Sequence, residues 1–369
     1  MPRPAKNKPQ RAATLADVGR AAGVSAMAAS AVLNGVRTSS RISLATRERI
    51  LAAAAELRYR PNAAARALLQ RRMNTIGVVA VIDGGGTPGA GELNQYFLEI
   101  FNGVIEDAAL RNQNATVLTL HDWQRDLYRL AGFCDGRVDG IILLAPTIPA
   151  TLSGALPEHT PFVSIHSNTP LPNVINLESD EETGAFQMVQ HLIAEGHRRI
   201  VHMCGESALL GAQRRISGYR RALAAARIPF EPALLIETGY SHLVARRIVR
   251  DWLGKNTGKP LPDAIFAAND GVAIACLECL AEIGVKVPGD ISVAGFDDTL
   301  AARTTVPQLS TVRQPLRAMG ARAVEVLLQR IEPTPGTEAT PSPIVFPTEL
   351  VLRASVASPP ASPKRIPSF

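Results

Sequence analysis

Apolar residues recur at helical spacing through the first sixty positions, and the polar residues between them mark where each helix begins and ends. Thr14-Leu-Ala-Asp17 fits a capping box, in which the Thr hydroxyl and the Asp carboxylate satisfy the backbone N–H groups that open a helix. That helix runs over 15–22 and ends at Gly23; Ser25 can cap a second, ending at Asn34. A third, Ser43 to Arg58, carries Ile50, Leu51, Ala54 and Leu57 on one stripe. Leu15, Val18, Ala22, Val24, Val32 and Leu33 supply a small core. Two short helices joined by a tight glycine-containing turn make a helix-turn-helix. An alanine-rich stretch, Tyr59 to Leu69, follows; it is too short to hold as a helix alone in water and needs a partner to fold.

From Thr75 the pattern changes. Apolar runs TIGVVAVI, ATVLTL, DGIILLA and PFVSIH alternate with amphipathic helical stretches such as FLEIFNGVIEDAALRN. A second series starts near residue 177 and runs through HLIAEGH, RIVHMCG, a helix at 213–226, ALLIETG, helices at 241–253 and 271–283, and SVAGFDD. This is βα repetition with parallel sheets, an α/β class, and two such series predict two similar subdomains. Ligands in open parallel sheets bind beyond the carboxyl ends of the strands.

Charge divides the chain at the same place. Residues 1–75 hold 14 Lys/Arg against Asp17, Glu48 and Glu56, whereas the remaining 25 basic and 30 acidic residues leave a small negative excess. One end therefore favours a polyanion such as nucleic acid. No run of 18 apolar residues occurs, and MPRPAKNKPQRAA lacks an apolar signal core, so a cytoplasmic location without membrane contact is expected.

Candidate chemistry is sparse. Cys276-Leu-Glu-Cys279 is a CxxC inside a helical pattern, where the spacing places both on one face; reduced, buried thiols are expected and no metal. Gly84-Gly-Gly86-Thr-Pro-Gly89 matches GxGxxG after a strand, which raises a nicotinamide-dependent dehydrogenase. Pro88 sits where the phosphate-binding turn would enter its helix, and no acidic residue ends the next strand about 20 residues on, so a loop fits better. The seven histidines form no HExxH or triad spacing; His191 and His197 are assigned to the end of a helix, where they can satisfy terminal carbonyls. No catalytic set and no cofactor are expected. A ligand-binding protein with a nonspecific basic tether remains the other alternative.

TLADVGRAAGVS, Ser30 with VLNG, ISLATRERILAAAAELRYRPNAAARAL and NTIGVV, followed by QYFLEIFNGV, VDGII, HLIAEGHRRI, RRISGYRRAL, AIFAANDGVAIACLECLAEIGVKVPGDISVAGFDD and LSTVRQPLRAMGARAV, resemble the LacI/GalR family of bacterial repressors over nearly the whole chain. The resemblance implies a helix-turn-helix headpiece ahead of a periplasmic-binding-protein-like effector domain. It also implies a homodimer on pseudo-palindromic operator DNA and a small-molecule effector, most simply a carbohydrate. Its implied domains are a basic disordered arm (1–13), the headpiece (14–60), a hinge helix and linker (61–74), and an effector and dimerisation domain (75–356). That domain divides into subdomains 75–176 plus 312–340 and 177–310 plus 341–356, leaving a disordered tail, 357–369. The tail, SPPASPKRIPSF, has no leucine heptad for a terminal coiled coil.

Site residues follow by position. The resemblance puts Ala26, Met27 and Ala31 at base-facing places and Asn62, Arg66 and Leu68 on the hinge helix, with Leu68 as a minor-groove wedge. Thr14, Ser25, Ser30 and Asn34 can contact phosphates, which set register without reading sequence. The usual V-S-x-x-T-V-S-R-V-L-N pattern is replaced by alanines, and GVRTSSRI lengthens the segment after Asn34. Effector contacts fall on Tyr96, Phe97, Arg215, Tyr240, Asn269, Asp270, Asp297 and Gln314, with Arg214 as a rival to Arg215. Paired donors and acceptors beside aromatic faces suit a polyhydroxylated ring.

Overall fold

The computed structural model describes residues 12–34, 42–60, 72–81, 95–333 and 342–368. It comprises two compact units, Met1–Asn74 and Thr75–Phe369.

In the first unit, α1 (Leu15–Ala22), α2 (Ala26–Asn34) and α3 (Leu44–Glu56) pack around Val18, Ala22, Ala29, Ile50, Ala53 and Ala54. The capping box forms as expected: Thr14 N–H donates to Asp17 Oδ2 at 2.9 Å, and Asp17 N–H to Thr14 Oγ1 at 3.3 Å. Gly23 closes α1 in the left-handed region at φ 66°, and Val24 N–H returns to the Gly19 carbonyl at 2.8 Å. A Cβ on Gly19 would stand 2.9 Å from the Val24 carbonyl oxygen, so this tight turn needs glycine there. Ser43 caps α3 by accepting Thr46 N–H at 3.2 Å. The basic arm to Arg11, the segment 35–41 and the hinge stretch 61–71 lie outside the described residues.

In the second unit, β1 (Thr75–Val81), β2 (Asn114–Leu120), β3 (Gly140–Leu144), β4 (Phe162–Ile165), β5 (Ile175–Ser179) and β11 (Ile344–Phe346) form a parallel sheet in the order β11-β5-β4-β3-β1-β2. Alternate residues feed opposite cores: Ile76, Val78 and Ile142 point one way, towards α4 (Gln95–Leu110) and α11 (Leu316–Ile331). Val79, Ile141 and Leu143 point the other way, towards α5 (Leu127–Phe133). Burial on both faces explains the near-continuous apolar strands.

A second parallel sheet has the order β7-β6-β8-β9, from β6 (Ile200–Cys204), β7 (Leu235–Glu237), β8 (Ala264–Ala267) and β9 (Ser292–Ala294). It is flanked by α6 (Glu181–Ala194), α7 (Leu210–Ala225), α8 (His242–Lys255) and α9 (Asp270–Glu282), with α10 (Leu300–Thr304) following β9. The chain passes between the two lobes after Ser179, again at Gln314 between β10 (Thr311–Arg313) and α11, and again between β11 and β12 (Glu349–Val351).

Several boundaries differ from the sequence expectation. Ile175–Ser179 pairs wholly with β4 and β11, so the first lobe extends to Ser179 and reclaims 344–346. Val312 and Arg313 instead pair with β12 and with the second lobe, where Asp297 N–H donates to the Val312 carbonyl at 2.7 Å. The tail expected to be disordered is held against the second lobe at Lys364 and Ile366, although most of its residues are exposed. Leu261 N–H donates to the Lys364 carbonyl at 2.8 Å, Gly258 N–H to Ile366 at 2.9 Å, and Ile366 itself enters the second lobe's core. A lone apolar residue in a proline-rich run gives no periodicity from which to foresee this.

His197 also departs from its expected capping role, since its ring is fully buried and makes no hydrogen bond to the terminal carbonyls of α6 among the described residues. Arg198 Nη1 supplies the contact to the Ile193 carbonyl at 2.8 Å. The four cysteines are free and buried. Among the described residues no helix is long and apolar enough to cross a membrane, and no group of three His, Cys, Asp or Glu could hold a metal.

Candidate effector cavity and DNA-facing helix

A cavity of about 190 Å³ opens beyond the carboxyl ends of both sheets of the second unit. The first lobe contributes Tyr96 and Phe97 from the start of α4, Ala145 and Thr147 beyond β3, and His166 to Asn168 beyond β4. The second lobe contributes Glu181, Gly211, Arg214, Arg215, Tyr240, Asn269 and Asp297. Six expected effector residues, Tyr96, Phe97, Arg215, Tyr240, Asn269 and Asp297, therefore meet in one place, and Arg214 lines it beside Arg215.

Arg215 is buried and anchored on three sides. Nη2 donates to Glu181 Oε1 at 2.7 Å, Nη1 donates to the Ala268 carbonyl, and Cζ lies 4.0 Å from the Phe296 ring centroid and 5.5 Å from that of Tyr240. Arg214 bridges Glu178 at 2.9 Å and Glu181 at 3.8 Å. Two guanidinium groups thus face two carboxylates. Gly211 admits Glu181 to this cluster, because a Cβ there would sit 2.8 Å from Glu181 Oε1. Asn269 caps α9 through Oδ1, accepting Val272 N–H at 2.8 Å, and donates to the Tyr240 carbonyl at 3.1 Å.

Asp297 stands in the left-handed region at φ 117°, with its carboxyl hydrogen-bonded to the Gln314 side-chain amide at 2.6 Å. Burial pushes its carboxyl above the usual carboxylate range; the Arg215 guanidinium opposes that shift and the Asp270 carboxylate adds to it. His166 is pulled down to about 4, chiefly by burial, with Arg215 and Arg214 reinforcing and Glu181 opposing. Its ring is neutral near pH 7.

Two expected contacts are corrected. Asp270 does not line the cavity: it is fully buried and holds Thr299 N–H at 2.7 Å, the Thr299 hydroxyl at 3.1 Å and the Thr311 hydroxyl at 2.6 Å, fastening its own loops. Gln314 lies behind the wall, between Asp297 and Ser179, and acts through them. His166 and Glu181 line the cavity without being among the expected effector residues. His166 directly follows a parallel strand, the position from which ligand residues project; Glu181 comes in through packing of α6 on α7, which leaves no local signal.

On α2, Met27 is 77% exposed and Ser25 and Ala26 are exposed as well. Ser25 Oγ accepts Ala28 N–H at 3.1 Å, Asn34 Nδ2 donates to Ser30 Oγ at 3.0 Å, and the Thr14 hydroxyl donates to Asp17 Oδ2 at 2.7 Å. Ala31 corrects the expected base-facing set, because the structure buries it to 7% exposure. Asn62, Arg66, Leu68 and the Gly84–Gly89 loop lie outside the described residues.

Comparison with known proteins agrees with both units. Residues 14–62 match the family described as bacterial regulatory proteins, lacI family, and residues 189–356 match a periplasmic binding protein-like domain. The chain is 32% identical over 330 residues to the HTH-type transcriptional repressor PurR of Vibrio parahaemolyticus, covering 87% of this chain and 92% of that one. It is 31% identical over 349 residues to the HTH-type transcriptional regulator DegA of Bacillus subtilis, covering 93% and 98%. Among solved structures, a complex of the transcriptional regulator CelR with cellobiose aligns with a TM-score of 0.66 at 30% identity, covering 93% of this chain and 99% of that one. The Lac repressor dimer bound to operator and the anti-inducer ONPF aligns with a TM-score of 0.79 at 26% identity, covering 94% and 100%.

Proposed function

Because the chain belongs to the LacI family of DNA-binding transcriptional regulators, we propose that it is a homodimeric repressor whose operator affinity is set by a neutral, single-ring polyhydroxylated effector in the cavity of its second unit. The observation that carries the effector class is the charge pairing of the wall. Arg214 and Arg215 are matched by Glu178 and Glu181, so no guanidinium is left over for a phosphate or carboxylate. A cavity of about 190 Å³ falls below the usual ligand-pocket range of about 300–1,000 Å³ and suits one ring rather than two. Tyr96, Phe97 and Tyr240 offer aromatic faces, while Asn269, Asp297 and Arg215 offer donors and acceptors. The cellobiose complex of a relative supports a carbohydrate.

On the DNA side, Ala26 and Met27 present apolar surface, the kind of contact a thymine methyl accepts. Ser25, Ser30, Asn34 and Thr14 serve phosphates. Asn62, Arg66 and Leu68 act from the hinge stretch over 61–74, with Leu68 as the minor-groove wedge. Effector binding that favours one arrangement of the two lobes shifts the DNA equilibrium by its difference in affinity between arrangements.

Thermal shift of the full chain with D-ribose, D-glucose and their terminal phosphates tests the effector class. A neutral sugar should raise Tm in the native protein and not in Arg215→Met. Stabilisation by phosphorylated sugars alone would overturn it.

A further inference from the structure

From the hydrogen bonds beneath the cavity we infer that His166 fixes Tyr96 as a hydrogen-bond donor to the effector, so that the ligand must present an acceptor oxygen or nitrogen to this wall. The inference rests on the cavity being the effector site.

Five side chains run in series from one lobe to the other: Asp297, Gln314, Ser179, His166 and Tyr96. Two of them, Ser179 and Gln314, stand where the chain passes between lobes, and both ends of the series face the cavity. Its polarity is set at one place. The backbone N–H of Ser179 donates to His166 Nε2 at 3.2 Å, and a backbone N–H cannot accept. Nε2 therefore keeps its lone pair, and the single proton of the neutral ring sits on Nδ1. The Ser179 hydroxyl, 3.0 Å from Nε2, then turns its proton to Nε2 as well, since two lone pairs would otherwise oppose one another; the Gln314 amide accordingly gives its N–H to Ser179 Oγ and takes the proton of the Asp297 carboxyl on its oxygen.

Nδ1–H then donates to Tyr96 Oη, which is the partner within hydrogen-bond reach on its other side. The phenol oxygen accepts from the histidine, so its own proton is directed away from it and into the cavity. His166 is held for this task by its backbone, which is in the left-handed region at φ 52°, with its N–H donating to the Leu177 carbonyl at 2.8 Å. It is a positioning residue: it acts on the ligand through the orientation of a neighbouring hydroxyl. An ether, hydroxyl or carbonyl oxygen, or an unprotonated ring nitrogen, satisfies Tyr96; a ligand turning an N–H to this wall leaves two donors opposed, with the desolvation penalty of an unmet buried group.

NMR of the full-length protein without ligand tests this. In a sample labelled with 15N-histidine, long-range 1H–15N correlation at pH 7, with His166 assigned by its loss in His166→Gln, should show the Nδ1-protonated tautomer. Ser179→Ala keeps the backbone donor and should leave that pattern unchanged. An Nε2-protonated or doubly protonated His166 in either protein overturns the inference. In a second sample carrying 13Cζ-tyrosine, with Tyr96 assigned by Tyr96→Phe, His166→Asp replaces a donor by an acceptor and draws the phenol proton to itself. The Tyr96 Cζ resonance should then move downfield, towards phenolate; an unmoved or upfield resonance overturns the inference. Neither readout involves DNA or a sugar, so its failure is distinguishable from failure of the repressor reading.

Discussion

Replacing Arg215 by methionine removes one member of a buried ion pair and strands the other. The Arg215 and Glu181 side chains are 6% and 5% exposed and in contact at 2.7 Å. Removing one partner of such a pair costs about 3–5 kcal/mol, mostly from the charge left behind. Arg214, at 3.8 Å from the second Glu181 oxygen, can take up part of that charge, which places the expected loss near the low end, about 3 kcal/mol. An unfolding entropy of about 2.1 cal/mol/K per residue over a unit of this length makes that a drop of about 5 °C in Tm. Urea titration and thermal melts of the full chain measure it. The decisive comparison is Arg215→Met with Glu181→Gln: with the stranded charge gone, stability should return to within about 1 kcal/mol of the native protein. A double variant as unstable as Arg215→Met would refute the stranded-charge reasoning and assign the loss to packing on Phe296.

His202 is fully buried, stacked on Phe266 at 4.7 Å, with Nδ1 on the Phe266 carbonyl at 2.9 Å and burial holding its pKa at about 4. The unfolded chain binds the proton first, near 6.5, so this contribution is whole above that pH and declines as pH falls to 4, by about 3 kcal/mol in all. Urea midpoints from pH 7.5 to 4.5 should fall less steeply in His202→Phe; an equal slope would contradict the assignment. Ile366 is 2% exposed, and Ile366→Ala should lower stability by about 2–4 kcal/mol. A loss below about 0.5 kcal/mol, the scale of an exposed substitution, would return the tail to solvent. Leu68→Ala should weaken specific DNA binding much more than nonspecific binding, because a wedge acts through DNA deformation. Gel shifts showing equal losses on both would exclude that role.

Much of the architecture was readable where residues act locally. Thr14 and Asp17 announce α1 because a capping box is complete within four residues, and Ile76, Val78 and Ile142 announce buried parallel strands because a short continuous apolar run is a local property. The cavity was readable at Tyr96, Phe97, Arg215, Tyr240, Asn269 and Asp297 through resemblance. Asp270 shows the limit: nothing along the chain reveals that two threonines, at 299 and 311, take up its carboxylate. The partners of Glu181 and His166 likewise exist only once α6 lies on α7 and β5 lies beside β4, although the place of His166 at a strand end is a signal in the sequence. The helix that lacks polar readers was legible as a helix, but the burial of Ala31 depends on packing.

Sequence-specific DNA binding is the central claim, and fragment selection tests it most directly. Full-length protein is mixed with sheared genomic DNA and excess nonspecific competitor at rising salt, and the retained fragments are sequenced. Specific binding outlasts the loss of phosphate contacts that salt imposes on all DNA. The account predicts a small set of fragments sharing two inverted half-sites and enriched further as salt rises. Retention spread evenly over the genome and lost in parallel for every fragment would contradict it.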